Sequence, residues 1–476
     1  MHDLKTLFLN IGNYCRREVI TCTPDDQLVD VAAIMRLHNI SSLVITENGA
    51  LSGILTDRDL RNKVVAQGLD PSLLTVKQVM NTPLISISEE EFLFKALHLL
   101  SKHKIHRLVV TDRSGRLAGI ITDSDILRIQ SRSPEQLVQQ IEEAATVEDL
   151  KALHQQVQGL VGHLIGTGVR IRDLVRLIAH LNDQILIRLI NILRSGYFAS
   201  LPEKFAFVVL GSEGREEQTL TTDQDNALIY ADELDPAEVK YLEEFSRELI
   251  DNLIAIGVPS CPGGIMAKND QWRRSLSQWQ KQLDLWFTTP TPENILNVSM
   301  FSDMRFLSGD HSLEQALKDH VSGRLVRYQV FIGHMTANLL RFTVPLGWFG
   351  RIKTDKGEHG GQLDIKKAGI FAITEGVKSL SLSEGIQENS TRNRLDKLVL
   401  AGKFDEDFAI DLMAAFDSLV YFRLRTQVDA VKAGRKPDNR VVIDRLNRME
   451  QEQLRAALEM VRSFQKILKL RFQMEY

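Results

Sequence analysis

Between residues 13 and 131 the alternation of apolar and polar positions runs through one cycle and then repeats it. An extended segment, Val19 to Thr23, leads into helical spacing from Pro24 to His38. Two short runs of strand character follow, Ser41 to Thr46 and Leu51 to Thr56. The same succession returns as Leu84 to Ser88, Glu89 to His103, His106 to Thr111 and Leu117 to Thr122. Each copy closes on one signature, Gly53-Ile-Leu-Thr-Asp-Arg-Asp59 and Gly119-Ile-Ile-Thr-Asp-Ser-Asp125. Thr56 and Asp57, like Thr122 and Asp123, are placed to cap the helix that follows. The pattern then turns helical. Thr146-Val-Glu-Asp149 opens a helix whose apolar face is Leu150, Leu153, Val157, Leu160 and Val161, and Leu174 to Leu193 continues it. Strand character reappears at Phe205 to Leu210 and at Ala227 to Tyr230, and Asp235 to Ile256 reads as an amphipathic helix. Trp272, Trp279 and Trp286 recur at a heptad interval, predicting a core-facing helical stripe. From Ser322 the chain is again helical, ending in a stretch that buries Leu446, Leu454, Leu458, Val461, Phe464 and Leu468.

Composition narrows the classes. A chain of 476 residues predicts two to four domains. With 43% hydrophobic and 25% charged residues it reads as an ordinary globular protein. A net charge of -4 without a Lys/Arg tract argues against nucleic acid as a partner. Cys15, Cys22 and Cys261 lack metal-ligand spacing and fit a reduced, cytoplasmic setting. The N-terminus has no secretory pattern, and the greasiest stretch, Ile185 to Leu193, is broken by Arg188 and Asn191, so no membrane span is expected.

The candidate chemistry lies between Phe205 and Tyr230. An apolar run stops at Gly211-Ser212, and Asp223-Gln-Asp225 leads into the next run. On a strand, residues i and i+2 face one side, so both carboxylates would aim at one point, as a divalent cation with oxygen ligands requires. Gly211 and Ser212 would offer backbone N–H groups and a hydroxyl to a phosphate.

These residues resemble a known family. Gly-Ser followed by Asp-x-Asp is similar to the nucleotidyltransferase superfamily that includes DNA polymerase beta. The longer string Gly211-Ser-Glu-Gly-Arg-Glu-Glu-Gln-Thr-Leu-Thr-Thr-Asp-Gln-Asp-Asn-Ala227 resembles the CBS-linked nucleotidyltransferases. Those are similar in turn to the catalytic domains of protein-PII uridylyltransferase and glutamine-synthetase adenylyltransferase. The repeat at 13–131 (about 13–68 and 77–131) resembles a tandem CBS pair, or Bateman module. Cys261-Pro-Gly-Gly-Ile-Met-Ala-Lys-Asn269 and the Leu363-Asp-Ile-Lys-Lys-Ala-Gly369 segment also match family patterns.

The resemblance implies a multidomain α/β and α architecture: the CBS pair, a helical linker at 134–200, a nucleotidyltransferase domain at 201–320 and a C-terminal helical domain at 322–476. It implies Asp223, Asp225 and Asp303 as metal-binding and catalytic carboxylates, with Asp303 and Arg305 matching the family's Asp-x-Arg. Mg2+ or Mn2+ would be the metal and an NTP the substrate. Gly211, Ser212, Arg215 and, more weakly, Lys268 would bind its phosphates; for Arg215 a surface salt bridge is the equal alternative. At the CBS pair, Ile20, Thr56, Asp59, Ile85, Thr122 and Asp125 would hold AMP, ADP or ATP, and the pair would form a homodimer. The acceptor implied is a protein side chain. The alternative function is a catalytically silent nucleotide sensor on the same fold.

Overall fold

The computed structural model describes residues 10–47, 49–130, 134–166, 169–327, 329–347, 350–355 and 357–473. The chain forms two compact units, Met1–Gln136 and Leu137–Tyr476.

In the first unit the sequence repeat becomes a structural repeat. Strand β1 (Thr21–Cys22) runs parallel to β2 (Ser42–Glu47), which pairs antiparallel with β3 (Ala50–Thr56). β4 (Ser86–Ser88), β5 (Arg107–Thr111) and β6 (Leu117–Thr122) repeat the arrangement, down to a bulge at the matching place, Ile45/Thr46 and Val110/Thr111. Each sheet buries its apolar face under one helix, Leu28–Leu37 or Leu93–His103. Both helices start four residues later than their spacing predicts. Residues 24–27 are used elsewhere: Asp26 and Pro24 accept from the backbone of Val76 and Lys77, and Gln27 bridges Thr75. In the second copy the backbone of Asn10 to Gly12 engages Glu89, Glu91 and Phe92 in the same way. A backbone group committed to another segment cannot join a helix. After Thr56 the expected helix is short (Asp57–Asp59) and continues as π and 3-10 turns to Gly68, whereas after Thr122 it is regular, Asp123–Gln130.

The second unit is built on a four-stranded sheet of order β10-β7-β8-β9. β7 (Phe205–Val209) and β8 (Asn226–Tyr230) are buried along their whole length and pair antiparallel; β10 (Arg305–Gly309) is antiparallel to β7, and β9 (Arg273–Ser275) is parallel to β8. Helices Val147–Leu164 and Ile171–Ser195 place Leu150, Leu153, Val157, Leu189 and Leu193 in the same apolar core as this sheet. The stretch expected as a separate linker is therefore physically continuous with the sheet it precedes. Trp279 and Trp286 lie on helix Leu276–Thr288, but Trp272 sits in the turn before it. All three are buried against Phe301, and Trp279 Nε1 donates to Leu228 O at 3.0 Å, tying the aromatic cluster to β8.

A second core joins the C-terminal helices Phe371–Ser383, Thr391–Leu400, Glu406–Lys432 and Arg448–Arg471. Its strand ribbon is β11 (Gln362–Asp364) with β12 (Arg440–Val442). The predicted apolar residues of the last stretch are all buried, although Leu446 precedes the helix that Asn447 caps.

The two cores are keyed together by buried charge. Asp303 is wholly inaccessible, and three cations surround it. Arg215 donates to its Oδ2 at 2.5 Å, Lys378 lies 2.7 Å from the same oxygen, and Arg394 donates to Oδ1 at 2.7 Å. Glu217 and Glu375 balance the remaining cationic charge at 2.8 Å each. Burial alone would raise the Asp303 carboxyl, but Lys378, Arg215 and Arg394 outweigh it and hold it at about 2. Because Lys378 and Arg394 lie on C-terminal helices, this cluster fixes those helices onto the loop before β10.

This cluster makes three predictions. Gly214 packs so tightly that an added Cβ would lie 1.8 Å from Asp303 O. Gly214→Ala is therefore expected to cost at least about 2 kcal/mol in urea denaturation, because backbone cannot move aside as a side chain can. Asp303→Asn leaves buried cations short of a counter-charge and is expected to cost about 3–5 kcal/mol. The pH dependence has a definite sign. A carboxyl held at about 2 in the folded chain, below its unfolded value, contributes stability above roughly pH 4 that is lost as pH falls through about 2. Acid titration of unfolding should show wild type losing about 2 kcal/mol more than Asp303→Asn across that window.

Candidate active site

Three strand ends meet at one edge of the sheet. Val209, the last residue of β7, pairs with Asn226, the first of β8, and with Arg305, the first of β10. The loops beyond them gather Gly211 to Arg215, Asp223 to Asp225, and Asp303. β7 turns at Gly211 (φ +53) into the short helix Gly211–Gly214, and Leu210 N donates to Asp225 O at 2.8 Å. A Cβ on Gly211 would meet Asp225 Oδ2 at 3.1 Å, so the carboxylate lies directly against the turn.

Asp223 and Asp225 stand in the extended segment just before β8 rather than on the strand. The predicted alternation nevertheless holds: both are half-buried, while Gln224 between them is 1% exposed. The Asp225 carboxyl is pushed up to about 6, first by burial and further by Asp223, against the pull of the Cys261 thiol and Lys366. The Cys261 thiol hydrogen-bonds to Asp225 and is pushed up to about 11, by burial and then by that carboxylate. Cys261 is thus buried and also borders the site.

Behind the carboxylates lies a polar layer that the sequence reading did not single out. Glu213 accepts from Asp225 N at 3.3 Å and from Gln218 Nε2 at 2.8 Å, and Asn182 Nδ2 meets Gln218 Oε1 at 3.5 Å. Burial, then Asp225 and Asp183, push the Glu213 carboxyl well above the usual range. A cavity of about 30 Å³ adjoins Glu213, Thr221 and Gln224, and the buried Gln224 Nε2 and Thr221 Oγ1 have no protein partner there. That is room for about two waters.

The remaining expected residues fall into different settings. Ser212 is half-exposed at the turn. Arg215 is engaged by Asp303 and by Glu217, which accepts from its Nε at 2.8 Å; it is ion-paired, but in the interior rather than at the surface as the alternative reading has it. Lys268 pairs with Asp251 at 2.9 Å on helix Pro236–Ile256. The expectation of Asp303 as an open metal ligand needs correction, because both of its oxygens are taken by the three cations. Among the described residues no group of three or more His, Cys, Asp or Glu side chains is arranged to hold a metal ion. Arg305 makes a two-point pair with Asp183 at 2.9 Å and donates to Glu213 O at 3.0 Å, which fixes the turn to helix Ile171–Ser195.

The C-terminal helices reach the same edge. Asn389 Nδ2 donates to Gly214 O and Met304 O, and Thr391 donates to Glu217. Gln427 holds the Thr221 peptide on both sides, Nε2 to O at 3.1 Å and N to Oε1 at 3.5 Å. The charges of Lys366 and Arg423 are felt at Asp223, and that of Lys366 also at Asp225. No local pattern marks Arg423 in the sequence, since it is one arginine within a long helix.

In the first unit, Thr56 and Asp59 bond reciprocally: Asp59 N donates to Thr56 Oγ1 at 3.2 Å, and Thr56 N and Oγ1 donate to Asp59 Oδ2 at 3.0 and 2.5 Å. Thr122 and Asp125 do the same at 3.0, 3.1 and 2.7 Å. Both pairs cap their helices at the end of a strand. Ile20 and Ile85 pack on the apolar cores of their own copies.

Comparison with known proteins matches each part. Residues 11–66 and 76–132 match the CBS domain model, residues 155–293 the model "Putative nucleotidyltransferase DUF294", and residues 329–472 the model "Putative nucleotidyltransferase substrate binding domain". Uncharacterized protein MK0525 of Methanopyrus kandleri is 38% identical over 26% of this chain and 63% of its own length. Inosine-5'-monophosphate dehydrogenase of Mycobacterium leprae is 39% identical over 23% of this chain and 20% of its own, and CBS domain-containing protein YhcV of Bacillus subtilis 35% over 23% and 76%. The chain thus spans less than two thirds of the first two of these relatives. Among solved structures, the CBS domain pair of protein MJ0100 in complex with 5'-methylthioadenosine and S-adenosyl-L-methionine is 28% identical over 26% of this chain and 97% of that one, with a TM-score of 0.24. An uncharacterized conserved protein from Pyrococcus horikoshii is 23% identical over 27% and 96%, with a TM-score of 0.25. No helix among the described residues is long and apolar enough to cross a membrane. With all three models in sequence along it, the chain belongs to the family in which a CBS pair precedes a DUF294 nucleotidyltransferase domain and its substrate-binding domain.

Proposed function

We propose that the protein is a metal-dependent nucleotidyltransferase that moves NMP from an NTP to an acceptor, a protein side chain, under control of adenine nucleotides at its CBS pair. The observation that carries this reading is a pair of half-buried carboxylates, Asp223 and Asp225, the second of them against the Gly211 turn. Two adjacent carboxylates with solvent access fit Mg2+ or Mn2+, hard cations that complete their shells with water and phosphate oxygens. When bound, such a cation neutralises the triphosphate and makes an acceptor hydroxyl a better nucleophile.

The protein's own contribution is positioning. The turn presents the backbone of Gly211 and Ser212 to phosphate, and Glu213 fixes Asp225 through its backbone N–H. Asp303 takes no proton near neutral pH, because its cations hold it at about 2, so it is unsuited as a general base. It organises the site without touching substrate.

That same observation favours a second reading. With Asp303 enclosed, the site has two open carboxylates rather than three, which fits a nucleotide sensor that binds without turnover. Pyrophosphate release from each NTP in Mg2+, with cell extract as the acceptor source, separates the two. Turnover is expected for wild type, with Asp223→Asn and Asp225→Asn each reducing it at least about a hundredfold at unchanged helicity. Nucleotide binding without pyrophosphate release in any condition would establish the sensor instead.

For the CBS pair, Thr56, Asp59, Thr122 and Asp125 are the residues proposed to meet ribose and phosphate, with Ile20 and Ile85 beside the base. Saturating AMP or ATP is expected to raise wild-type stability by about 2–3 kcal/mol. Asp59→Asn/Asp125→Asn should abolish that shift in a thermal melt. A homodimer through this module is expected in sedimentation.

A further inference from the structure

The two cations expected to bind phosphate, Arg215 and Lys268, are committed to Asp303, Glu217 and Asp251. Two others stand at the carboxylates. Arg423 lies one helical turn before Gln427 on Glu406–Lys432, and Gln427 grips the Thr221 peptide. Residues i and i+4 share a helix face, so Arg423 stands beside the chain as it runs on to Asp223. Asn439 holds the second cation to the first. Its Oδ1 accepts from Arg423 Nε at 2.7 Å, and its backbone O accepts from Ile365 N at 3.0 Å, so the backbone leading into Lys366 is joined to Arg423 through one residue.

Arg423 is 5% exposed, while Lys366 keeps access to solvent. Burial pulls the Arg423 guanidinium down to about 10, with Arg215 adding to the effect against Asp364 and Asp223. The protein packed around Lys366 displaces water from its charge although the side chain reaches solvent, and this first, then Arg423 and Arg215, holds it below the usual lysine range, against Asp225 and Asp223. Like charges gathered in a partly desolvated site are costly unless an anion answers them. Asp364, Asp223 and Asp225 answer them only in part, and once the last two neutralise a divalent cation only Asp364 is left to do so. The site then carries an excess of positive charge that a polyphosphate would satisfy.

We propose that Lys366 and Arg423 form the polyphosphate-binding wall of the site, taking the β- and γ-phosphates of the nucleotide and the pyrophosphate that leaves. This rests on Asp223 and Asp225 being the transfer site, and it assigns the substrate-binding C-terminal region to the nucleotide's phosphates rather than to the acceptor. Lys supplies a point charge to phosphate, and Arg a planar fork of donors.

The test is calorimetric titration of the full chain with inorganic tripolyphosphate in Mg2+. Wild type is expected to bind. Lys366→Met, at an accessible position, should keep the wild-type melting temperature and weaken binding at least about tenfold, the loss of one charge-assisted contact. Lys466→Met, a surface charge control, should change it less than about twofold on the same scale. No binding by wild type, or equal binding by wild type and Lys366→Met, would overturn the wall. If Lys366→Met loses tripolyphosphate while no NTP yields pyrophosphate, the wall stands and the transferase reading fails. If wild type turns over NTP and Lys366→Met leaves both KM for NTP and tripolyphosphate affinity unchanged, the reverse holds.

Discussion

Asp303 is a fully buried carboxylate held by three cations from three separate segments. Arg215 comes from the turn after β7, Lys378 from helix Phe371–Ser383 and Arg394 from helix Thr391–Leu400. Each partner alone would be an uncompensated charge in an apolar interior, an arrangement that costs several kcal/mol. Together with Glu217 and Glu375 they neutralise one another, so the turn, the loop before β10 and the C-terminal helices hold their places jointly. Gly214, pressed against Asp303 O, and Asn389, bonded to Gly214 O, continue the same junction through the backbone.

The geometry at the sheet edge depends on that junction. β7, β8 and β10 bring Gly211, Asp225 and Asp303 to one end, but register alone does not decide which carboxylates stay open. The cations close Asp303 off, while Asp223 and Asp225 keep their access and have Lys366 and Arg423 before them. A family motif with three acids therefore resolves here into two half-buried carboxylates and one structural anchor. Glu213 performs a comparable service on the inner side, where it holds the peptide of Asp225 and borders a small polar cavity.

The first unit follows a different logic, in which one pattern is used twice. Its Thr/Asp pairs cap helices whether or not a ligand is present, so the signature has a structural reason of its own. The copies differ after that cap. The first departs into π and 3-10 turns and ends at Gly68, with φ +67, while the second continues as a helix. Arg58 in one copy stands where the other has Ser124, so the two ends of the module present different charge.

Local pattern was sufficient for much of this protein. The repeat, the burial of β7 and β8, the sharp turn at Gly211 and the inward face of the last helix are all properties of short segments. Periodicity and turn chemistry specify them directly. The like burial of Asp223 and Asp225, with Gln224 between them turned inward, was legible for the same reason, since it needs only local alternation. What tertiary structure alone decided was which charges meet. Asp303 reads in the sequence as a third ligand, and becomes an anchor because Lys378 and Arg394 arrive from far along the chain. The late starts of the two CBS helices arose because distant segments claimed their first backbone groups. Lys366 lies in a segment the family resemblance already marked, but Arg423 joined it only through Gln427 and Asn439, contacts with no sequence signal. Periodicity records the burial of each segment, whereas the pairing of buried charges depends on how separate segments close on one another.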